Sequence, residues 1–349
     1  MSRDMAISLQ RRGHRVLVIT MQYGSLPEKE EIEGVVIYRV KCLRKSESVC
    51  HPWEQISYIF SLIGFYLNHL SKEQFDVCHA HFIVPTGMAA LYLKKKLNIP
   101  YVITAHGSDV EGYNQKRFRL LHVILRPVWR ILVREARAVV APSFFLKSLM
   151  QKRDRNIAYT VIPNGIDLAY YRKLARIYSK TKSMVVLCRL QKPKGVQDII
   201  RAFAQVKSQN WKLNILGDGP YRNELECLTR KLGIEDRVIF YGWVKNKSEK
   251  YEQLLGESYL YLSGSWFENC PVSVLEAAGA GCRVLLSDIP AHRQLIKRQD
   301  VFFPCGNINV LAERMETAME MYDGEAIEIY EAERYDWGKV CARYEEVLN

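Results

Sequence analysis

The stretch SYLYLSGSWFENCPVSVLEAAGAGCRVLLSD (258–288) decides the architecture. Its first eight residues, rich in Tyr and Leu and closing on Gly and Ser, read as a buried strand running into a turn. A helix is expected from Pro271, a residue suited to the first helical position, and RVLLSD (283–288) reads as the next strand. Strand, helix and strand in roughly thirty residues make a right-handed βαβ unit with parallel strands. Within the unit, Glu268 lies in the loop and Glu276 one to two turns into the helix, a Glu-x7-Glu spacing. The first-turn amides of Val272 and Ser273 form an anion site between the two carboxylates, an arrangement that suits a ligand with phosphate and sugar hydroxyls. The same spacing also fits an ordinary solvated helix with a favourable acidic first turn.

Working outward, the rhythm repeats. MVVLCRL (184–190), KLNILGDG (212–219) and RVIFYGW (237–243) read as strands alternating with helices. In the first half HRVLVIT (14–20), VVIYRV (35–40), DVCHAH (76–81), YVITAH (101–106) and AVVAPS (138–143) read as strands, with amphipathic stretches over 53–70, 86–97 and 113–136. Residues 164–183 are polar between two well-patterned halves. The expectation is α/β: two Rossmann-like doubly wound domains facing a cleft, with ligand at the C-terminal ends of the strands. The divisions expected are 1–170, 171–325 and a strandless segment 326–349.

At 349 residues the chain exceeds one ordinary core, and 48% hydrophobic with 25% charged residues excludes disorder and fibrous repeats. No apolar run approaches the roughly 20 residues of a membrane span. Met1 is followed by SRDMAISLQRRGH, so no secretory leader is expected, and a cytoplasmic protein is. The nine cysteines form no CxxC pair, and buried free thiols are expected rather than zinc or disulfides. The net charge of +12 is uneven. Residues 1–177 hold 27 Lys and Arg against 14 Asp and Glu, hence +13, and the remaining 23 basic and 24 acidic residues net −1. Such a field attracts anionic lipid, nucleic acid or a phosphorylated substrate.

Smaller motifs point to the same edges. GDGP (217–220) places Gly217 between a strand and a helix, where either turn geometry or anion binding needs it. Arg189 and Lys194 follow the first strand of the second half, and a fork with a point charge suits a diphosphate. HAH (79–81) and AHGSD (105–109) end neighbouring strands, bringing His106 and the exposed backbone of Gly107 to the edge. With no DxD, HExxH or third ligand nearby, no metal is expected. The basic stretch 113–137 either lies on an anionic membrane, which the regional charge favours, or is a domain helix with a solvated basic face, broken at Pro127.

These pieces in this order resemble glycosyltransferase family 4, retaining enzymes of the GT-B fold, over nearly the whole chain. The resemblance rests on LQRRGHRVLVIT, the HAHFIVPTGMAALYLKKKLNIPYVITAHGSD segment, VIPNGID, RLQKPKG, LGDGP, GWV, Glu-x7-Glu and a closing DWGKVCARY, which is similar to a helix returning to the first domain. It implies a nucleotide-sugar donor, UDP- or GDP-linked, and no further cofactor or metal. Arg189 and Lys194 would neutralise the diphosphate, helped by the amides of Val272 and Ser273. Glu276 would bind the ribose and Glu268 the donor sugar, and Trp243 and Val244 would approach the base. His106 would hydrogen-bond the transferred sugar, and Gly107, Asp109, Gly217, Asn269 and Cys270 would complete the substrate site. The acceptor expected is lipid-linked or polysaccharide, the location peripheral on the inner face of the cell membrane. Nucleic acid is not an expected partner, since only the pI of about 9.2 speaks for it.

The family opens with a strand and a glycine-rich loop, whereas this sequence begins inside the expected helix DMAISLQRRGH. The missing opening motivates an alternative expectation, an inactive or truncated sugar-nucleotide-binding protein. Pro271 also stands where many relatives carry Gly, a variant that fits the first helical position.

Overall fold

The computed structural model describes residues 2–45, 50–113, 119–327 and 330–349. The chain divides into two compact units, Met1–Gly165 with Trp337–Asn349, and Ile166–Asp336.

The first unit begins with α1 (Ser2–Arg11), β1 (Leu17–Met21), β2 (Lys29–Ile32), β3 (Val35–Val40) and α2 (Pro52–Phe65). It continues through β4 (Cys78–His81), α3 (Thr86–Leu97), β5 (Tyr101–Thr104), α4 (Arg119–Glu135), β6 (Ala138–Ala141), α5 (Phe144–Gln151) and β7 (Tyr159–Val161). Its strands form two sheets rather than one, in the orders β1-β3-β2 and β4-β5-β6-β7. The second is wholly parallel, but β2 runs antiparallel to β3. The sequence KEEI of β2 carries three charges in four residues, which is why hydropathy did not announce it. Every residue of β5 is buried, as a central strand covered on both faces requires.

One expectation changes here. Helix α4 runs unbroken through Pro127 instead of stopping there. The proline removes one amide donor to the Val123 carbonyl, and both residues lie on the exposed side, where water can serve that carbonyl. Residues 114–118 of the basic stretch lie outside the described residues.

The second unit comprises α6 (Leu168–Ile177), β8 (Thr181–Leu187), α7 (Val196–Phe203), β9 (Lys212–Leu216), α8 (Arg222–Lys231) and β10 (Val238–Gly242). There follow α9 (Glu249–Glu257), β11 (Ser258–Ser263), α10 (Val272–Gly279), β12 (Arg283–Ser287), α11 (Pro290–Leu295), β13 (Phe302–Phe303) and α12 (Ile308–Glu320). All six strands are parallel in the order β10-β9-β8-β11-β12-β13. Alternate residues of β8 feed opposite faces: Val185 and Leu187 join one apolar cluster, Met184 and Val186 the other. Each such buried side chain contributes roughly 1.5–3 kcal/mol of transfer free energy, so the sheet is held from both sides. The chain winds outward from β8 through β9 to β10, then restarts on the other side of β8 with β11. The strand order thus reverses between β8 and β11, the place where open α/β sheets leave a crevice at their C-terminal ends.

The chain closes with α13 (Trp337–Leu348) in the first unit, where Trp337, Val340, Cys341 and Tyr344 pack with Met5 and Leu9 of α1.

Candidate functional site

In the second unit the loops after β8 and β11 meet the start of α10. They enclose a pocket of about 160 Å³ whose lining includes Cys188, Lys194, Ser265, Glu268, Pro271 and Ser273. Lys194 stands in a single 3-10 turn, Lys192–Lys194, and its ammonium lies 2.5 Å from Glu268 Oε1. Ser265 Oγ donates to the same oxygen at 2.8 Å. The pocket therefore presents a cation and an anion side by side, both largely withdrawn from solvent, where charges act more strongly than at the surface. Burial pushes the Cys188 thiol up to about 12, so it lines the pocket as a neutral group.

The loop carrying Glu268 is pinned from beneath. His292 is fully buried, and its Nδ1 lies 2.7 Å from the Ser287 carbonyl. A carbonyl only accepts, so Nδ1 carries the proton, and Nε2 accepts from Ser263 Oγ at 3.3 Å. Ser287 Oγ in turn donates to the Ser265 carbonyl at 2.5 Å, and Trp266 Nε1 to Asp198 at 3.2 Å.

Helix α10 begins at Val272, and Pro271 is its N-cap, in extended backbone, instead of the expected first helical residue. The amides of Val272 and Ser273 open the helix and have no intrahelical acceptor. Ser273 Oγ lies 2.9 Å from the hydroxyl of Tyr261. Glu276, one turn further, is held by residues that no motif announced. Tyr171 and Asn246 donate to its Oε1 at 2.8 and 3.2 Å, and Tyr251 donates to Oε2 at 2.9 Å. Tyr171 lies 105 residues away along the chain, so only the folded unit brings it there.

Other predicted residues fall differently. Arg189 is exposed, forms no hydrogen bond or ion pair among the described residues, and is not part of the pocket lining. Asn269 and Cys270 are buried, and Cys270 packs into an apolar cluster. Gly217 takes φ +142°, and a Cβ there would lie 1.8 Å from the Cys188 carbonyl, so only Gly lets β9 leave the sheet beside β8. Its amide donates to the Gly242 carbonyl at 2.8 Å, which fixes the loop holding Trp243 and Val244. Trp243 is 79% exposed, whereas Val244 leans on the core.

In the first unit the loop after β5 holds His106. Asp109 is buried and its carboxylate accepts from the amides of Ile83, His106 and Gly107 at 2.7, 3.0 and 2.9 Å. These three main-chain donors are held together by the one carboxylate, which fixes the loop that carries His106. Gly107 takes φ +109° with Tyr113 against its Cα, a place where a Cβ would collide with the ring. His106 Nε2 lies 3.1 Å from His81 Nδ1, and the two rings are withdrawn from solvent. Burial lowers the pKa of His106 to about 4, so the ring is neutral near pH 7. Among the described residues no three His, Cys, Asp or Glu side chains come together as a metal-binding group. No described helix is long and apolar enough to cross a membrane.

Comparison with known proteins gives these features a context. Residues 2–170 match the family model described as Glycosyltransferase Family 4, and residues 171–334 the one described as Glycosyl transferases group 1. The chain is 24% identical over 313 residues to the alpha-monoglucosyldiacylglycerol synthase of Streptococcus pneumoniae, covering 84% of this chain and 68% of that one. It is 25% identical over 314 residues to the N-acetyl-alpha-D-glucosaminyl L-malate synthase of Bacillus anthracis, covering 86% and 78%. Among solved structures, the Anabaena HepE protein in complex with UDP and glucose superposes with a TM-score of 0.75 at 18% identity, covering 99% of this chain and 94% of that one.

Proposed function

From the premise that the chain belongs to the family 4 glycosyltransferases and has their GT-B fold, we propose that it moves a sugar from a UDP- or GDP-linked donor to a lipid-linked or polysaccharide acceptor, with retained anomeric configuration and without a metal. The observation that carries the reading is the pocket at the reversal between β8 and β11, where Lys194, Glu268 and the first turn of α10 converge. Lys194 and the α10 amides suit the diphosphate, with Arg189 a second cation at the edge. Glu268 suits the hydroxyls of the donor sugar and Glu276 those of the ribose, since a carboxylate accepts well from a pair of hydroxyl donors. Trp243 and Val244 are assigned to the base. His106, neutral and therefore able to accept as well as donate, is assigned to the transferred sugar.

In the chemical step the protein would stabilise charge on the departing diphosphate and hold the acceptor close, and the leaving phosphate would help take the acceptor proton. Relatives support the acceptor class: one carries the name of a diacylglycerol glycolipid synthase. A membrane surface is supported by the charge of +13 on residues 1–177 and by α4, where Leu120 is 74% and Ile124 63% exposed on a face that also carries Arg130. Such a face of leucine, isoleucine and arginine suits the boundary of an anionic bilayer.

The direct test offers UDP-, GDP- and ADP-sugars with diacylglycerol, lipid-linked glycan and soluble glycan acceptors, and follows the products by mass and by anomeric NMR. Transfer with retained configuration supports the proposal. Binding of a nucleotide sugar without turnover on any acceptor would support an inactive sugar-nucleotide-binding protein instead, and an inverted product would overturn the retaining assignment.

A further inference from the structure

The ends of β4 and β5 line up three imidazoles. The strands pair in parallel with His81 opposite Thr104, so His79 and His81 lie on one face at the C-terminal edge and His106 follows just beyond it. The rings of His79 and His81 are 4.5 Å apart and those of His81 and His106 5.3 Å apart. His79 Nε2 lies 2.8 Å from Thr104 Oγ1, so it has its own partner in the strand. His81 has His106 as its partner, through Nδ1 and Nε2 at 3.1 Å. Phe82, the next residue, takes φ +78° and sets its ring 4.6 Å from that of His106. A non-glycine residue in this left-handed region is strained and persists only where surrounding contacts over-determine it.

Both rings are neutral near pH 7: burial lowers the pKa of His81 to about 3 and of His106 to about 4. A hydrogen bond between two neutral imidazoles contains one proton. Either His106 Nε2–H donates to His81 Nδ1, or His81 Nδ1–H donates to His106 Nε2. In the first case both rings carry their proton at Nε2, and in the second both carry it at Nδ1. The two tautomers are therefore coupled, and the state of His81 dictates whether the Nδ1 edge of His106 accepts or donates.

We propose that His81 is a positioning residue that, with the ring of Phe82, fixes the orientation and the tautomer of His106, and so selects the kind of hydrogen bond His106 makes to a sugar hydroxyl. The sugar contact rests on the function proposed above; the tautomer coupling does not. Nothing in the HAH motif alone distinguishes this role from that of a core histidine.

The experiment is 15N NMR of the histidine side chains in the full chain labelled at histidine, assigned through His81→Asn, His81→Phe and His106→Ala. In the wild type His81 and His106 must both be neutral and carry the same tautomer; opposite tautomers overturn the proposal without any variant. Asn offers an amide near the position of Nδ1, whereas Phe offers no partner. His106 should therefore keep a single tautomer in His81→Asn and become a mixture in His81→Phe. An unchanged His106 signature in His81→Phe overturns the coupling. On the transfer reaction, His81→Phe should lower kcat on the order of tenfold or more with the donor KM little changed, and His81→Asn should recover most of it. Equal losses of kcat in both variants, with the His106 signature intact, would also overturn the positioning role. If His106→Ala transfers sugar at the wild-type rate, the assignment of His106 to the sugar fails, and the NMR comparison still decides the coupling.

Discussion

The ammonium of Lys194 lies 2.5 Å from Glu268 Oε1, so the pocket at the end of β8 holds a cation and an anion that neutralise each other. A diphosphate arriving there competes for that ammonium, and the carboxylate is then set free for hydroxyls. Replacing Lys194 by Met removes a charge-assisted contact of roughly 1.5–3 kcal/mol, which corresponds to about a 10- to 100-fold loss of affinity for the nucleoside diphosphate. Arg189→Met should cost less, since Arg189 does not line the pocket. Calorimetric titration of both variants with UDP and GDP checks the order; equal losses would place the diphosphate elsewhere.

Glu276 depends on its two tyrosines. Tyr171→Phe and Tyr251→Phe each remove one hydroxyl donor from the carboxylate and should each lower stability by about 1 kcal/mol. Because both act on one group, the double variant should depart from additivity by about 0.5 kcal/mol or more. Urea unfolding of the three variants measures this, and donor affinity should fall with each change. Strict additivity with unaltered affinity would show that the tyrosines do not position Glu276.

How much of this was legible before folding follows from the length of the signals. The hydrophobic run VVIYRV and the helix TGMAALYLKKKL appear with the boundaries read from sequence, because each is long and strongly patterned. The charged β2 and the two-residue β13 carry too little apolar pattern to be recognised. Glu268 and Glu276 were visible because one loop and one helix hold both. Their partners Lys194, Tyr171, Asn246 and Tyr251 reach them across the sheet, and no spacing along a single chain encodes such a meeting. The partners of Asp109 were hidden for a related reason: one of the three amides it serves, that of Ile83, belongs to a different strand-end loop and comes near only on folding.

The pH response of the first unit should be dominated by groups whose pKa folding lowers. Hydrogen bonds from Arg12 and His14 hold the Glu345 carboxyl down to about 2, against an ordinary 4.5. A carboxyl lowered in the folded state contributes stability above pH 4.5 that is lost as pH falls toward 2. His81 and His106, lowered by burial from 6.5 to about 3 and about 4, contribute stability fully present above pH 6.5 and lost as pH falls through those values. These three signs agree; burial raises the Asp109 carboxyl, which acts the other way as pH falls, and with three groups against one the unfolding midpoints should decline below pH 6.5. Glu345→Gln should flatten the part below 4.5 and His106→Asn the part between 6.5 and 4. A midpoint that rises on acidification contradicts this.

The exposed apolar face of α4 makes a separate prediction. Leu120→Glu with Ile124→Glu replaces two exposed side chains, so folding should be unaffected. Retention on vesicles containing phosphatidylglycerol at low salt should fall severalfold, whereas neutral vesicles should retain neither protein. Equal retention of wild type and variant on anionic vesicles would remove α4 from any membrane contact.

The measurement that bears most directly on the central claim is thermal unfolding of the wild type and of Glu276→Ala against UDP-, GDP- and ADP-sugars. A ligand present at about 100 times its Kd adds roughly 2.7 kcal/mol, which raises the midpoint by a few degrees. The account predicts such a rise with one class of nucleotide sugar and its loss in Glu276→Ala. A rise that survives in Glu276→Ala, or no rise with any of the three classes, would contradict the assignment of this pocket to a nucleotide-sugar donor.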